Sequence, residues 1–246
     1  YFPKKSILNK LLLKRILSHA EIICSTSKAM KNMIFSKYSK KNIHVIPFGV
    51  DSNIFKPLKS ESRIFTVGTI KSIESHNGIE CMLDAAKIVV HDYKKNIKFL
   101  FVGEGSLKKT MEKRAVSLNL EKNTEFVGFV NQDKVLKYYN QLSVFIAVSL
   151  RESFGVSVLE AAACEIPSIT SNVGGLPEVN LHNYSGLVIE PQNPQALAES
   201  ILKLYNNENL RKELGKNARL RVIKDFKWKD NVKEMIDIYD SLIKRL

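Results

Sequence analysis

Short apolar runs alternate with helix-length amphipathic stretches along most of this chain, and that alternation restricts the fold more than any other feature. The runs lie at 22–24, 45–46, 65–67, 99–102, 126–127, 144–148, 168–170 and 186–189. Helical periodicity falls between them, at 27–37, 78–91, 106–119, 132–141, 154–163 and 193–206. Strands that are apolar along their whole length are covered on both faces, which is the condition of a parallel sheet between two helical layers. Right-handed crossovers then give a doubly wound α/β fold. The tail carries no strand run and is predicted as two helices, at 207–225 and 228–244, with Asp225 and Trp228 near their junction. Residues 3–19 are predicted as a further helix, with Ile7, Leu8, Leu11, Leu12 and Leu17 near one face and Lys10, Lys14 and Arg15 on the other.

Pro47, Gly49, Asp51 and Pro57 interrupt the alternation, so a linker is expected at 48–60. Only one strand–helix–strand piece precedes it, at 1–47, too small for its own core. A complete α/β domain follows at 61–226, and a last helix at 227–246. The chain starts at Tyr1 with no signal-peptide pattern, and it is expected to be a fragment of something longer.

Charge and composition remove several function classes. With 44% hydrophobic and 26% charged residues, the 246-residue chain is not a disordered one. The net charge is +13, but residues 1–60 hold 12 Lys+Arg against only Glu21 and Asp51, leaving 13 − 10 = +3 for the rest. A footprint confined to one end, with no helix-turn-helix, zinc-finger or RNP-like pattern, does not point to nucleic acid. The basic helix at 3–19 fits an anionic membrane surface reached through residues 1–60, or else a helix packed on a domain with solvated lysines. No apolar run approaches the roughly 18 residues that cross a bilayer. Cys24, Cys81 and Cys164 are odd in number and far apart, which fits a reducing compartment rather than a disulfide framework. The histidines show no HExxH and no pairing with cysteine, so no metal site is expected.

The ligand crevice of an open parallel sheet lies at the carboxyl ends of its strands. Glycine stands at or near five of the expected exits, including Gly68, Gly103 with Gly105, Gly128, Gly155 and the pair Gly174-Gly175. Tight helix–strand packing explains one or two, and five on one rim favour close approach to a ligand. Gly103-x-Gly105 is only the start of a dinucleotide fingerprint, because Lys108 holds the third position. No P-loop and no Asp-x-Asp occurs, so a phosphate here needs cationic side chains and helix N-termini. The strongest segment is ESFGVSVLE, residues 152–160. Gly155 opens a helix whose first N–H groups are free for a diphosphate or sugar hydroxyls. Glu152 lies at the cleft mouth, either on a ligand or merely complementing the helix dipole. Glu160 lies two turns in, among Val158, Leu159, Ala161, Ala162 and Ala163, where a carboxylate needs a partner. Carboxylates so placed accept paired hydrogen bonds from vicinal hydroxyls.

The chain resembles the retaining family 4 glycosyltransferases of the GT-B fold. The residues that carry the resemblance are ESFGVSVLE, then AAACEIPSITSNVGGLPEV, then GLVIEPQNPQALAESI, preceded by VIPFGVDSNIFKP, FLFVGEGSLKKTM and FVGFV, in family order over nearly the whole chain. The resemblance implies a Rossmann-like carboxyl-terminal donor domain behind a truncated remnant of an amino-terminal acceptor domain. It implies that Glu160 holds the donor ribose and Glu152 the donor sugar, as the catalytic carboxylate. Ser153, Phe154, Gly155 and Val156 would contact the sugar and diphosphate, the last three through backbone groups. Gly68, Gly103 and Gly105 would line the nucleotide pocket, with Val130 near the base. It implies transfer with retention from a UDP- or GDP-sugar, no cofactor and no bound metal. The acceptor would be a glycan or lipid-linked, in bacterial cell-surface polysaccharide synthesis. The setting would be cytoplasmic, peripheral at the inner face of the membrane.

Two departures stand out. Where the family usually has Arg after the first exit glycine and Lys before the next glycine, this chain has Thr69 and Asn77, while Lys71 lies two residues beyond Thr69. Lys71 is expected to supply the charge, or else to be a solvated loop lysine. The acceptor domain, with its usual histidine, is represented only by residues 1–47, so this chain alone is expected to bind donor and transfer little. A nucleotide-sugar epimerase of the same architecture, or a non-catalytic nucleotide-sugar-binding module, are the competing readings.

Overall fold

The computed structural model describes residues 7–38, 42–58 and 64–244. The chain begins with α1 (Ile7–His19), then β1 (Ile23–Ser25), α2 (Lys28–Lys37) and β2 (Ile43–Val45). β1 and β2 pair in parallel as a two-stranded sheet over a small cluster of Ile23, Ile34 and Ile43. Ser27 starts α2 by accepting a hydrogen bond from the Met30 N–H through its side chain, 3.0 Å.

The large unit is a six-stranded parallel sheet of β3 (Thr66–Ile70), β4 (Lys98–Val102), β5 (Thr124–Gly128), β6 (Val144–Ala147), β7 (Ser168–Ser171) and β8 (Gly186–Ile189). Its spatial order is β5-β4-β3-β6-β7-β8, with every pairing parallel. The connecting helices are α3 (Ile79–Lys87), α4 (Lys108–Ser117), α5 (Gln132–Tyr139), α6 (Val156–Ala163), the single turn α7 (Leu176–Val179) and α8 (Pro194–Asn206). α9 (Glu208–Asp225) and α10 (Trp228–Ile243) close the chain.

Period-two alternation sorts each strand between two cores. Phe99 and Phe101 of β4 join the layer built with α3, α4 and α8, while Leu100 and Val102 join the layer under α5, α6 and α9. Phe99, Phe101 and Phe145 are fully buried, and each such ring contributes about 2 kcal/mol from area removed from water. The chain builds β3, β4 and β5 outward in one direction, then returns to set β6 against the other side of β3. The exits of β3 and β6 therefore diverge to opposite faces, and a crevice opens between them.

The expected elements fall where the runs and periodicities placed them, with a few differences. β2 starts earlier, at Ile43, and ends at Val45, with the Ile46 N–H making the last hydrogen bond of the parallel pair to Ser25 O at 2.9 Å. The helix expected at 78–91 becomes a π turn over Ile88–Asp92 after α3. α7 follows Gly174-Gly175 where no helix was expected. In α1 Ile7, Leu8, Leu11, Leu12 and Ile16 are exposed, while Leu17 packs against the small Ile23, Ile34 and Ile43 cluster, so the helix rests on the small unit through its last turn; residues 3–6 of the expected helix lie outside the described residues. Residues 48–58, expected as a linker, lie against the large unit: Phe55 is buried beside Tyr139, and Val50 bridges to Lys227.

Candidate functional site

Lys71 leaves the end of β3 and Glu152 follows the end of β6, so the order reversal brings the two together across the crevice. The Lys71 ammonium is ion-paired with the Glu152 carboxylate and also donates to Ser149 Oγ at 2.9 Å. Both side chains are largely withdrawn from solvent, at 11% and 19% exposure. Ser149 is fully buried, and its carbonyl accepts from Ser171 Oγ at 2.6 Å. Lys71 is thus no solvated loop lysine: its ammonium lies between the exits of β3 and β6. Thr69 and Asn77, which occupy the places of the family's usual cations, are both buried. Asn77 pins the loop after β3 by donating to Ser72 O at 2.7 Å and Ser72 Oγ at 3.0 Å.

The rim loops interlock through glycines. Gly103 has φ +142°, and a Cβ there would lie 2.0 Å from Lys71 O. Gly174 has φ +52°, and a Cβ would lie 1.8 Å from Glu152 O. A Cβ at Gly105 would lie 2.3 Å from Ile73 O, and one at Gly175 2.5 Å from Ser153 O. These glycines let the exit of β4 pack on that of β3, and the exit of β7 on that of β6, which fixes the backbones of Lys71 and Glu152. Gly103, Gly105, Gly174 and Gly175 thus have a loop-packing role beside the ligand approach that the sequence favoured. Gly68 is a correction of place: it sits inside β3, against Leu100 and Leu142, rather than on the rim. Glu74 adds a clamp the sequence did not reveal. Its carboxylate accepts from Ser106 N at 2.7 Å and Ser106 Oγ at 2.6 Å, and those bonds hold its pKa below the usual carboxylate range.

Gly155, with φ +112°, caps the start of α6 directly after the Glu152 loop. Phe154 is buried, its ring edge-on to Phe48 at 5.9 Å and to Phe226 at 6.0 Å, which anchors the loop below while Ser153 and Val156 stay exposed. Glu160 finds its partner in Tyr139, whose hydroxyl donates to Oε2 at 2.6 Å. Burial raises the Glu160 pKa, and the Tyr139 bond partly opposes that. Beside it the Cys164 thiol is pushed up to about 12, chiefly by burial, so it is inert as a nucleophile. The structure therefore joins Lys71 with Glu152, and Glu160 with Tyr139. Val130 packs partly buried on the core layer under α5 and α6, with the exposed Phe129 ring beside it in the chain. Ser149 and Tyr139 were missed: a serine at a strand exit and a tyrosine ending a helix look like core or turn residues. An open hollow of about 330 Å³ lies elsewhere, beyond β7 and β8, and is lined by Asn172, His182 and Glu190 among others. It contains none of these groups; Lys71, Glu152 and the start of α6 converge instead at the β3–β6 reversal, where an open parallel sheet has its crevice.

The glycosyl transferases group 1 family matches residues 50–221, from the segment before β3 into α9. The chain belongs to that family. A relative described as an uncharacterized glycosyltransferase of Methanocaldococcus jannaschii is 31% identical over 239 residues, covering 97% of this chain and 65% of its own length. The capsular polysaccharide biosynthesis glycosyltransferase CapM of Staphylococcus aureus is 29% identical, covering 93% of this chain and 60% of its own. Among solved structures, sucrose-phosphate synthase of Thermosynechococcus elongatus superposes with a TM-score of 0.91 at 25% identity, over 99% of this chain and 63% of that one. The chain thus spans less than two thirds of these group 1 relatives. The fold is that of the GT-B glycosyltransferases, with a Rossmann-like parallel sheet.

Proposed function

We propose that this chain carries the donor site of a retaining, family 4 hexosyltransferase that takes a UDP- or GDP-sugar and builds cell-surface polysaccharide in bacteria. The observation that carries the reading is the Lys71–Glu152 pair, which spans the strand-order reversal directly ahead of α6. A nucleotide-sugar laid across it meets matched chemistry. Lys71 and the first N–H groups of α6 take the diphosphate, whose charge grows as the bond to the anomeric carbon breaks. Glu152 accepts from sugar hydroxyls and faces the oxocarbenium-like carbon, and Glu160 accepts from the ribose hydroxyls. Ser153, Phe154, Gly155 and Val156 contact the sugar and diphosphate, while Gly103, Gly105 and Val130 surround the nucleoside. Lys71 and the helix terminus supply the neutralising charge that other transferases draw from a divalent ion, so no metal is needed. The acceptor is a glycan or a lipid-linked one, a reading supported by the capsular relative's name.

Residues 1–47 belong to the acceptor domain in this reading, 48–60 join it to the donor domain at 61–226, and the helix at 227–246 crosses back. The apolar stripe of α10, with Trp228, Ile236, Tyr239 and Ile243 exposed, is then covered by further acceptor-domain chain. The cationic residues 1–60 suit the cytoplasmic face of an anionic membrane. Among the described residues no helix is long and apolar enough to cross one.

A thermal-shift panel of UDP-, GDP- and ADP-sugars tests the reading. One donor should raise the melting temperature, because a ligand stabilises only the state it binds. Glu160→Ala should abolish that rise. No stabilisation by any nucleotide-sugar, or a rise untouched by Glu160→Ala, overturns the assignment. Interconversion of sugars without acceptor would make the protein an epimerase instead.

A further inference from the structure

The Lys71–Glu152 pair has a consequence for which ligands the site accepts, given the donor reading above. The ammonium is already neutralised: Glu152 and Ser149 both hold it. The two backbones cannot adjust to help. Lys71 N donates to Val102 O at 3.0 Å and its carbonyl lies against Gly103, while the Glu152 carbonyl accepts from Gly175 N at 3.2 Å and lies against Gly174. Only the side chains can move.

Glu152 and Ser149 use two of the three donors of the ammonium, and an anion that draws Lys71 to itself competes with Glu152 for its charge. Drawing Lys71 away leaves a carboxylate, four-fifths shielded from solvent, with the Ser153 N–H at 3.2 Å as its remaining neighbour. Stranding a shielded charge costs more than the pair itself is worth. A ligand that carries hydroxyls next to its diphosphate repairs both ends at once: the diphosphate takes Lys71, and the hydroxyls donate to Glu152. We propose that this pair is a coincidence lock, which makes the site select an intact nucleotide-sugar over the nucleoside diphosphate or pyrophosphate alone. Once the sugar has been transferred, Glu152 reclaims Lys71 and the nucleoside diphosphate is expelled. Ser149 keeps the ammonium in place throughout the exchange.

Isothermal titration separates this proposal from the reading beneath it. Three ligands are used: the nucleotide-sugar that gives the largest thermal shift, its nucleoside diphosphate, and inorganic pyrophosphate. Wild-type protein should bind the nucleotide-sugar more tightly than the other two. In Glu152→Gln the lock is released, so pyrophosphate and nucleoside diphosphate should bind about tenfold more tightly than to wild type, while the nucleotide-sugar binds more weakly. Glu152→Ala should show the same signs, and Lys71→Gln should weaken all three ligands. If wild type binds the nucleotide-sugar but Glu152→Gln leaves pyrophosphate and nucleoside diphosphate unchanged or weaker, the lock is wrong and the donor site stands. If wild type binds none of the three, both fall.

Discussion

Glu160 sets stability against function within one side chain. Burial raises its pKa, so the folded protein holds that proton more readily than the unfolded chain does. Its contribution to stability is complete below the ordinary carboxylate range and is lost as pH rises through the raised value. At neutral pH the ionised form costs stability, with the Tyr139 hydroxyl returning part of the cost. Glu160→Gln keeps an acceptor for that hydroxyl and removes the charge. It should raise the melting temperature at pH 7, and the gain should vanish on acidification below pH 4 or so. Donor affinity should fall by about tenfold, because charge-assisted bonds to ribose hydroxyls become neutral ones. A melting temperature unchanged at both pH values would mean that Glu160 is better solvated than its surroundings indicate. The sequence exposed Glu160 as a problem, a carboxylate among alanines and valines, but could not name its partner, because Tyr139 lies in a different helix. Lys71 and Glu152 were each visible as exit residues. Their contact was not, since it depends on which strands are neighbours.

That neighbour relation is the property of elements that the sequence left open. Apolar runs marked the eight strands to within a few residues, most plainly β3, β4, β6 and β7, which are covered on both faces and carry their burial in their composition. The order β5-β4-β3-β6-β7-β8 is set by crossovers and leaves no local mark. α7 escaped notice for a different reason. Four residues beginning Leu176-Pro177 have no periodicity to read, and the turn exists because Gly174-Gly175 delivers the chain onto the β6 exit. This gives Gly174 a sharper role than flexibility. Alanine there meets Glu152 O at 1.8 Å and must also hold φ at +52°, so either the β7 exit or the Glu152 loop shifts. Gly174→Ala should cost about 2 kcal/mol or more in chemical denaturation. It should also weaken donor binding although it removes no ligand contact. Unchanged stability together with unchanged binding would show that these loops are not rigidly stacked.

For the molecule as a whole, the question is how the small β1–β2 unit is held on the large one. Its own cluster of three isoleucines is too small to hold it. Besides the Asn231 side-chain amide of α10, which donates to Pro47 O, a tie is made by Glu178 of α7. Its carboxylate crosses to the start of α2 and accepts from Lys28 N at 2.9 Å and Ala29 N at 2.8 Å, two of the N–H groups that a helix leaves without internal partners. A negative charge at that end also complements the helix dipole. Arg221 of α9 in turn donates to Glu178 O at 2.6 Å, so the carboxylate is presented from a fixed base. The line of contacts runs from α2 through Glu178 and α7 to Gly174-Gly175, and so to the Glu152 loop. The placement of the amino-terminal unit is thereby tied to one of the two charges of the crevice. Glu178→Ala should remove about 2 kcal/mol of that tie, the worth of hydrogen bonds to a charged group. Native-state hydrogen exchange reads it directly. Amides of Lys28 and Ala29 should exchange at least tenfold faster, while those of β3 and β6 keep their protection, because the large sheet does not depend on the contact. Glu178→Gln, which retains one acceptor and loses the charge, should fall between the two. Equal protection at Lys28 and Ala29 in all three proteins would leave Ser27 as the sole cap of α2 and would detach the small unit from the crevice mechanically.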